Sequence, residues 1–133
     1  MSTLYTFGYL SPKGERSIKE LVTLGVPLVD IRYKANSRRW QYGGTVLKQR
    51  LGDLYYHIPE LGNEWYKEAL TGAWKEPHIK LSDPEVGLAR LKLILDANGR
   101  AAIFCACSSN KTCHRRLVAE MARERFSLTV IHL

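Results

Sequence analysis

Val26-Pro27-Leu28-Val29-Asp30-Ile31-Arg32 is a nearly continuous apolar run that closes on charged residues. A strand with one wet face alternates apolar and polar residues. An unbroken run is what a strand covered on both faces requires, as in a parallel sheet. Upstream, Ser17-Ile18-Lys19-Glu20 has the capping-box pattern and predicts a helix opening there, with Ile18, Leu21 and Val22 inward and Gly25 as its stop. Before that, Leu4 to Tyr9 is aromatic and β-branched, a first strand ending near Gly8. Downstream, Val46, Leu47 and Leu51 predict a short helix that stops at Gly52, and Leu54 to Ile58 a third strand closed by Pro59. Asp83-Pro84-Glu85 starts a helix with Leu88, Leu91, Ile94 and Leu95 inside and Asn98-Gly99 at its end. Ala101 to Cys105 is a second apolar run and a fourth strand. Thr112 caps a last helix with Leu117, Val118, Met121 and Ala122 inward, and Leu128 to Leu133 is a final strand. Residues 59–82, with Pro59, Gly62, Gly72, Pro77, Trp65, Tyr66 and Trp74, read as a long loop holding a helical turn. The alternation predicts an α/β fold: a single three-layer domain over residues 1–133, with a mostly parallel sheet of about five strands covered by helices.

The composition agrees. With 45% hydrophobic and 25% charged residues in 133, the chain is long enough for one packed core, and disordered and fibrous classes fit poorly. No window reaches the roughly 18 to 20 apolar residues of a membrane span, and Met1-Ser2-Thr3-Leu4-Tyr5 does not open a secretion signal. A soluble, cytoplasmic protein with no membrane partner is expected; the oligomeric state is left open. The formal charge of +7 is unevenly placed: +6 over residues 1–50, −2 over 51–100 and +3 over 101–133. Between Arg32 and Arg50 lie Arg32, Lys34, Arg38, Arg39, Lys48 and Arg50 with no acid, interleaved with Trp40 and Tyr42. Cations beside aromatics suit phosphates and stacked bases, so a nucleotide or nucleic acid is the expected partner. A solvated basic loop is the plain alternative.

In parallel sheets ligands collect beyond the carboxyl ends of the strands. There the sequence places Gly8 and Tyr9, then Asp30 and Arg32, then His57, and finally Cys105-Ala106-Cys107-Ser108-Ser109-Asn110-Lys111-Thr112-Cys113-His114-Arg115-Arg116. A strand feeding a polar loop and a helix start presents backbone N–H groups to an anion. Cys107, Ser108, Ser109, His114 and Arg115 are therefore candidate ligand-binding residues, together with Gly8, Tyr9, Arg32, Arg38 and Arg39. The loop has neither the glycines of a Walker loop nor the Cys-x5-Arg spacing of cysteine phosphatases. Cys105, Cys107, Cys113 and His114 would number four zinc ligands, but without the usual C-x2-C spacing no metal or other cofactor is expected. A Cys107–Cys113 redox pair is a further alternative. Cys113, at a helix start beside arginines, is a candidate nucleophile, and His57 a candidate acid or base. Asp30 and Arg32 share a strand face: they form an ion pair, or Arg32 holds an anion while Asp30 orients it.

Thr6-Phe7-Gly8-Tyr9, Val29-Asp30-Ile31-Arg32, Tyr56-His57-Ile58-Pro59-Glu60-Leu61-Gly62, Cys113-His114-Arg115 and the ending Val130-Ile131-His132-Leu133 occur in an order that resembles the family catalogued as domain of unknown function 488. The resemblance implies a compact α/β domain with a pocket near these motifs, and no established reaction. Members of that family commonly carry an acid two residues after the strand-four cysteine, where this chain has Cys107. The expected function is binding of a phosphate-bearing ligand at the carboxyl ends of the strands, with hydrolysis or group transfer upon it. The alternatives are a non-catalytic nucleic-acid-binding module and a zinc- or redox-dependent regulator.

Overall fold

The computed structural model describes residues 2–65, 79–106 and 114–133. Its elements are β1 (Thr3–Gly8), α1 (Gly14–Thr23), β2 (Leu28–Asp30), α2 (Gly44–Leu51), β3 (Tyr55–His57), α3 (Pro84–Asn98), β4 (Arg100–Cys105), α4 (His114–Phe126) and β5 (Thr129–His132). The five strands form one sheet in the order β3-β2-β4-β1-β5, and every pairing is parallel.

The helices divide between the faces as the strand parity dictates. Leu4, Val29, Ile31, Ala101, Ile103 and Cys105 pack with Leu88, Leu91 and Leu95 of α3 and Val118, Ala119 and Ala122 of α4. Phe7, Leu28, Ala102 and Phe104 point the other way, onto Ile18 and Leu21 of α1 and Leu47 and Leu51 of α2. Connections through α1 and α2 run toward the β3 edge of the sheet, and those through α3 and α4 run back toward β5. Right-handed crossovers demand opposite faces for opposite directions. The layering is thus α/β/α, and the sheet is parallel throughout, not merely for the most part.

Most boundaries follow local chemistry. Asp83 accepts a hydrogen bond from the Val86 amide at 3.3 Å and Pro84 occupies the first turn of α3, whose end is set by Gly99 at φ 75°. Three details differ from expectation. α1 begins at Gly14, not at Ser17, which is buried inside the helix. A Cβ on residue 14 would lie 2.3 Å from the Tyr9 carbonyl oxygen, so the glycine lets the helix start directly against the end of β1. β2 is shorter than the apolar run, yet Ile31 N–H still bonds the Phe104 carbonyl at 3.1 Å. On α4 the inward stripe is His114, Arg115, Val118, Ala119 and Ala122, and Leu117 is 38% exposed on its flank. The expected cap Thr112 lies outside the described residues.

Candidate functional site

β4 lies between β2 and β1, and the helix after it covers the face opposite to the helices after both neighbours. Adjacent strands whose exits diverge leave a crevice beyond their carboxyl ends. Gly8 is in register with Cys105, and Asp30 with Phe104 on one side and His57 on the other. Beyond the ladder, Tyr9 N–H bonds the Cys105 carbonyl at 3.0 Å and Ile58 N–H the Asp30 carbonyl at 3.0 Å. The sheet therefore delivers Gly8, Tyr9, Asp30, Arg32, His57 and Cys105 to one edge.

Asp30 is fully buried and accepts four hydrogen bonds. Arg32 provides its backbone N–H at 3.1 Å, Nε at 2.8 Å and Nη2 at 2.6 Å, and the Tyr55 hydroxyl donates at 2.6 Å. The remaining Arg32 nitrogen, Nη1, donates to the Tyr9 hydroxyl at 3.2 Å and to the Asn36 carbonyl at 3.1 Å, and the guanidinium sits 5.2 Å from the centre of the Tyr9 ring. Burial pulls the guanidinium pKa down, but the bonds and charge of Asp30 outweigh it and hold Arg32 above its ordinary value. Burial and then the Asp30 charge push the Tyr55 phenol up. Of the two roles open to Arg32, the geometry realises the ion pair. Its guanidinium, with four of its five N–H groups on Asp30, Tyr9 and Asn36, ties the chain leaving β2 to the sheet.

Two imidazoles sit on successive carbonyls at that exit. His114 Nε2 donates to the Ile31 carbonyl and His57 Nε2 to the Arg32 carbonyl, each at 2.8 Å. A carbonyl can only accept, so both Nε2 atoms carry protons, and in the neutral ring of His57 the lone pair belongs to Nδ1. His114 and Arg115 are buried, and Arg115 Nη1 donates to the Cys105 thiol at 3.5 Å. The first turn of α4 is thereby anchored beside β2 and β4. Cys107, Ser108, Ser109 and Cys113 lie outside the described residues. Among those described, no three His, Cys, Asp or Glu side chains gather as a metal would need, and no helix is long and apolar enough to cross a membrane.

The loop from β2 to α2 carries the basic run. Its ends are drawn together by Gly44 N–H on the Ala35 carbonyl at 2.9 Å. Within it Arg38 and Arg39 are exposed and make no ion pair among the described residues, and Trp40 is 75% exposed. Tyr42, by contrast, is buried against Tyr9 with ring centres 4.5 Å apart, and its hydroxyl donates to Glu15 at 2.8 Å. Arg50 pairs with the same Glu15. The basic run thus splits into buried Arg32, paired Arg50 and an outward group of Lys34, Arg38, Arg39 and Lys48.

Beside this loop a cleft of about 510 Å³ is lined by Ala35, Gly44, Thr45, Lys48, Gln49, Tyr55 and His57. Thr45, Lys48 and Gln49 are spaced i, i+3, i+4 and so share one face of α2, while Leu47 and Leu51 bury the other. Tyr55 and His57 are two apart on β3 and share a face. Sequence reasoning singled out His57 here but passed over Thr45, Gln49 and Tyr55. The two periodicities were the available signal.

The family model described as Domain of unknown function DUF488 matches residues 15–122, and the chain belongs to that family. No curated protein and no solved structure matches it.

Proposed function

We propose that this member of the DUF488 family binds single-stranded nucleic acid across the carboxyl edge of its sheet, with the β2–α2 loop as the main contact. The observation that carries the reading is Trp40, three-quarters exposed and directly following the outward cations Arg38 and Arg39. Singly exposed apolar residues are common, as Leu93 at 71% exposure shows, and it is the conjunction of the exposed indole with outward cations on one loop that points to a ligand. Next to two cations on the same loop, the indole offers a base a stacking surface and the adjacent phosphates counter-charges. Arg32 and Tyr9 hold the start of the loop to the sheet, and Gly44 draws its far end back to Ala35, which supplies rigidity. A loop that is already ordered loses less freedom on binding.

A second reading, action on the bound ligand by hydrolysis or group transfer, is favoured by His57. Its ring lines the cleft beside the loop with Nε2 tied down and Nδ1 left as the basic nitrogen. That is the arrangement a proton acceptor needs. Under this reading, loss of turnover in His57→Ala with binding retained would separate an enzyme from a binding module.

The test is fluorescence anisotropy with labelled single-stranded DNA, duplex DNA and RNA, titrated with salt. Trp40→Ala should weaken single-strand binding about 5- to 150-fold, the worth of one stacked base. Arg38→Ala/Arg39→Ala should lower the salt slope by about 1.4, from two phosphate contacts on a single strand. No binding near 50 mM salt, or equal binding by wild type and both variants, refutes the reading.

A further inference from the structure

The cleft between α2 and β3 has a size and a pattern of polar groups that the stacking surface on the loop does not use. Its volume of about 510 Å³ falls in the range of about 300–1,000 Å³ typical of small-ligand pockets. Ala35, Gly44 and the Tyr55 ring make apolar walls suited to the face of a planar ring. Tyr55 is held rigidly, because its hydroxyl is spent on buried Asp30 at 2.6 Å.

The polar groups around those walls are few and distinct. Gln49 brings an amide with one donor end and one acceptor end, and Thr45 a hydroxyl. His57 brings an acceptor, because its Nε2 proton is committed to the Arg32 carbonyl and only Nδ1 faces no partner among the described residues. Lys48 donates to the Gly52 carbonyl at 3.2 Å, and its ammonium has two further donors for a phosphate. Among the described residues the lining holds no carboxylate, and Asp30 beneath it is saturated. Guanine, whose Watson–Crick edge is rich in donors, is poorly served by such a lining. Adenine is well served: a glutamine amide can bond its N6 and N7 together, and a neutral imidazole acceptor takes the second N6 proton.

We infer that this cleft is a base-reading pocket for an adenine nucleotide, with Gln49 as the specificity-determining residue and Lys48 as the phosphate contact. The inference deepens the single-strand reading and rests on it where the adenine belongs to a strand. A free adenine nucleotide offers the same chemistry, and the two sources are separated by the probes. Gln49 is exposed on a helix, where alanine is a good helix former, so Gln49→Ala should fold as the wild type does.

The experiment measures binding of AMP, CMP, GMP and UMP by isothermal titration and of dA12, dC12, dG12 and dT12 oligomers by anisotropy. Wild type, Gln49→Ala, Gln49→Glu and Trp40→Ala are compared. The expected result is a preference for adenine that drops about 5- to 150-fold in Gln49→Ala, the range for one bidentate base contact. Gln49→Glu, which loses the donor for N7, should lose the preference as well. Trp40→Ala should weaken every oligomer alike and leave the adenine preference intact. Base-independent binding by the wild type, or an adenine preference untouched in both Gln49 variants, overturns the inference while leaving the strand reading standing. Adenine-selective AMP binding with no oligomer bound upholds the pocket and sinks the strand reading instead.

Discussion

Replacing Asp30 by alanine tests whether the buried pair beneath the site is a structural keystone. Two ion pairs in this protein have the same N–O separation of 2.6 Å: Asp30–Arg32, with side chains 0% and 7% exposed, and Asp96–Lys92, at 58% and 51%. Coulomb attraction at equal distance differs only through the surrounding dielectric, so burial decides the outcome. The exposed pair is screened and costs side-chain entropy, and Asp96→Ala should change stability by about 0–1 kcal/mol. Asp30→Ala leaves the Arg32 guanidinium in the interior with the Tyr9 hydroxyl and the Asn36 carbonyl as its side-chain acceptors, and Tyr55 without an acceptor. Breaking a buried pair from one side costs about 3–5 kcal/mol. Against a total stability of about 5–15 kcal/mol, the midpoint should fall by about 10–20 °C. Urea and thermal unfolding followed by circular dichroism supply both numbers. The double variant Asp30→Ala/Arg32→Met removes both charges and should recover much of the loss, because an apolar replacement of a buried pair is often neutral. Equal costs for Asp30→Ala and Asp96→Ala, or a double variant as unstable as the single one, would refute this account.

Two further outcomes follow from the geometry. Because the Tyr55 phenol is pushed above its ordinary value by burial and Asp30, the folded state holds that proton more tightly than the unfolded chain. Its contribution to stability is complete below about pH 10, and is lost as pH rises from there through the folded-state value. Urea titrations between pH 8 and 11 should show that decline in the wild type and a shallower one in Tyr55→Phe. Gly62→Ala would place a Cβ 2.3 Å from the Tyr33 backbone nitrogen and Cα, atoms that cannot rotate away. It should cost about 1–3 kcal/mol in urea unfolding, the usual range for overpacking, and a neutral result would mean that this close approach is not maintained in solution.

The strands and helices were legible because their signals are local. Unbroken runs such as Val26–Arg32 and Ala101–Cys105 encode a two-sided burial that only a covered parallel sheet offers. Asp83-Pro84 and Asn98-Gly99 encode the ends of α3 through cap chemistry. Where local signals conflicted with packing, packing prevailed. Ser17 and Glu20 have the spacing of a capping box, yet Ser17 lies inside α1 and Glu20 pairs with Arg16. Leu117 is apolar, yet the inward stripe of α4 went to His114 and Arg115, whose Nε2 and Nη1 atoms bond the Ile31 carbonyl and the Cys105 thiol at the ends of β2 and β4.

Sequence alone therefore determined the α/β alternation, the gathering of Tyr9, Asp30, Arg32 and His57 at strand ends, and the shared face of Asp30 and Arg32. Each depends on the period of a backbone and the polarity of neighbouring residues. Only the tertiary structure decided the order β3-β2-β4-β1-β5, the pairing of Tyr55 with Asp30, and the seating of His57 and His114 on the carbonyls of Arg32 and Ile31. It also divided the basic run into a buried arginine, a paired one and an outward set of cations. These choices join residues 25 and 83 positions apart, and the free energy that settles them is shared among the whole core, beyond the reach of any local pattern.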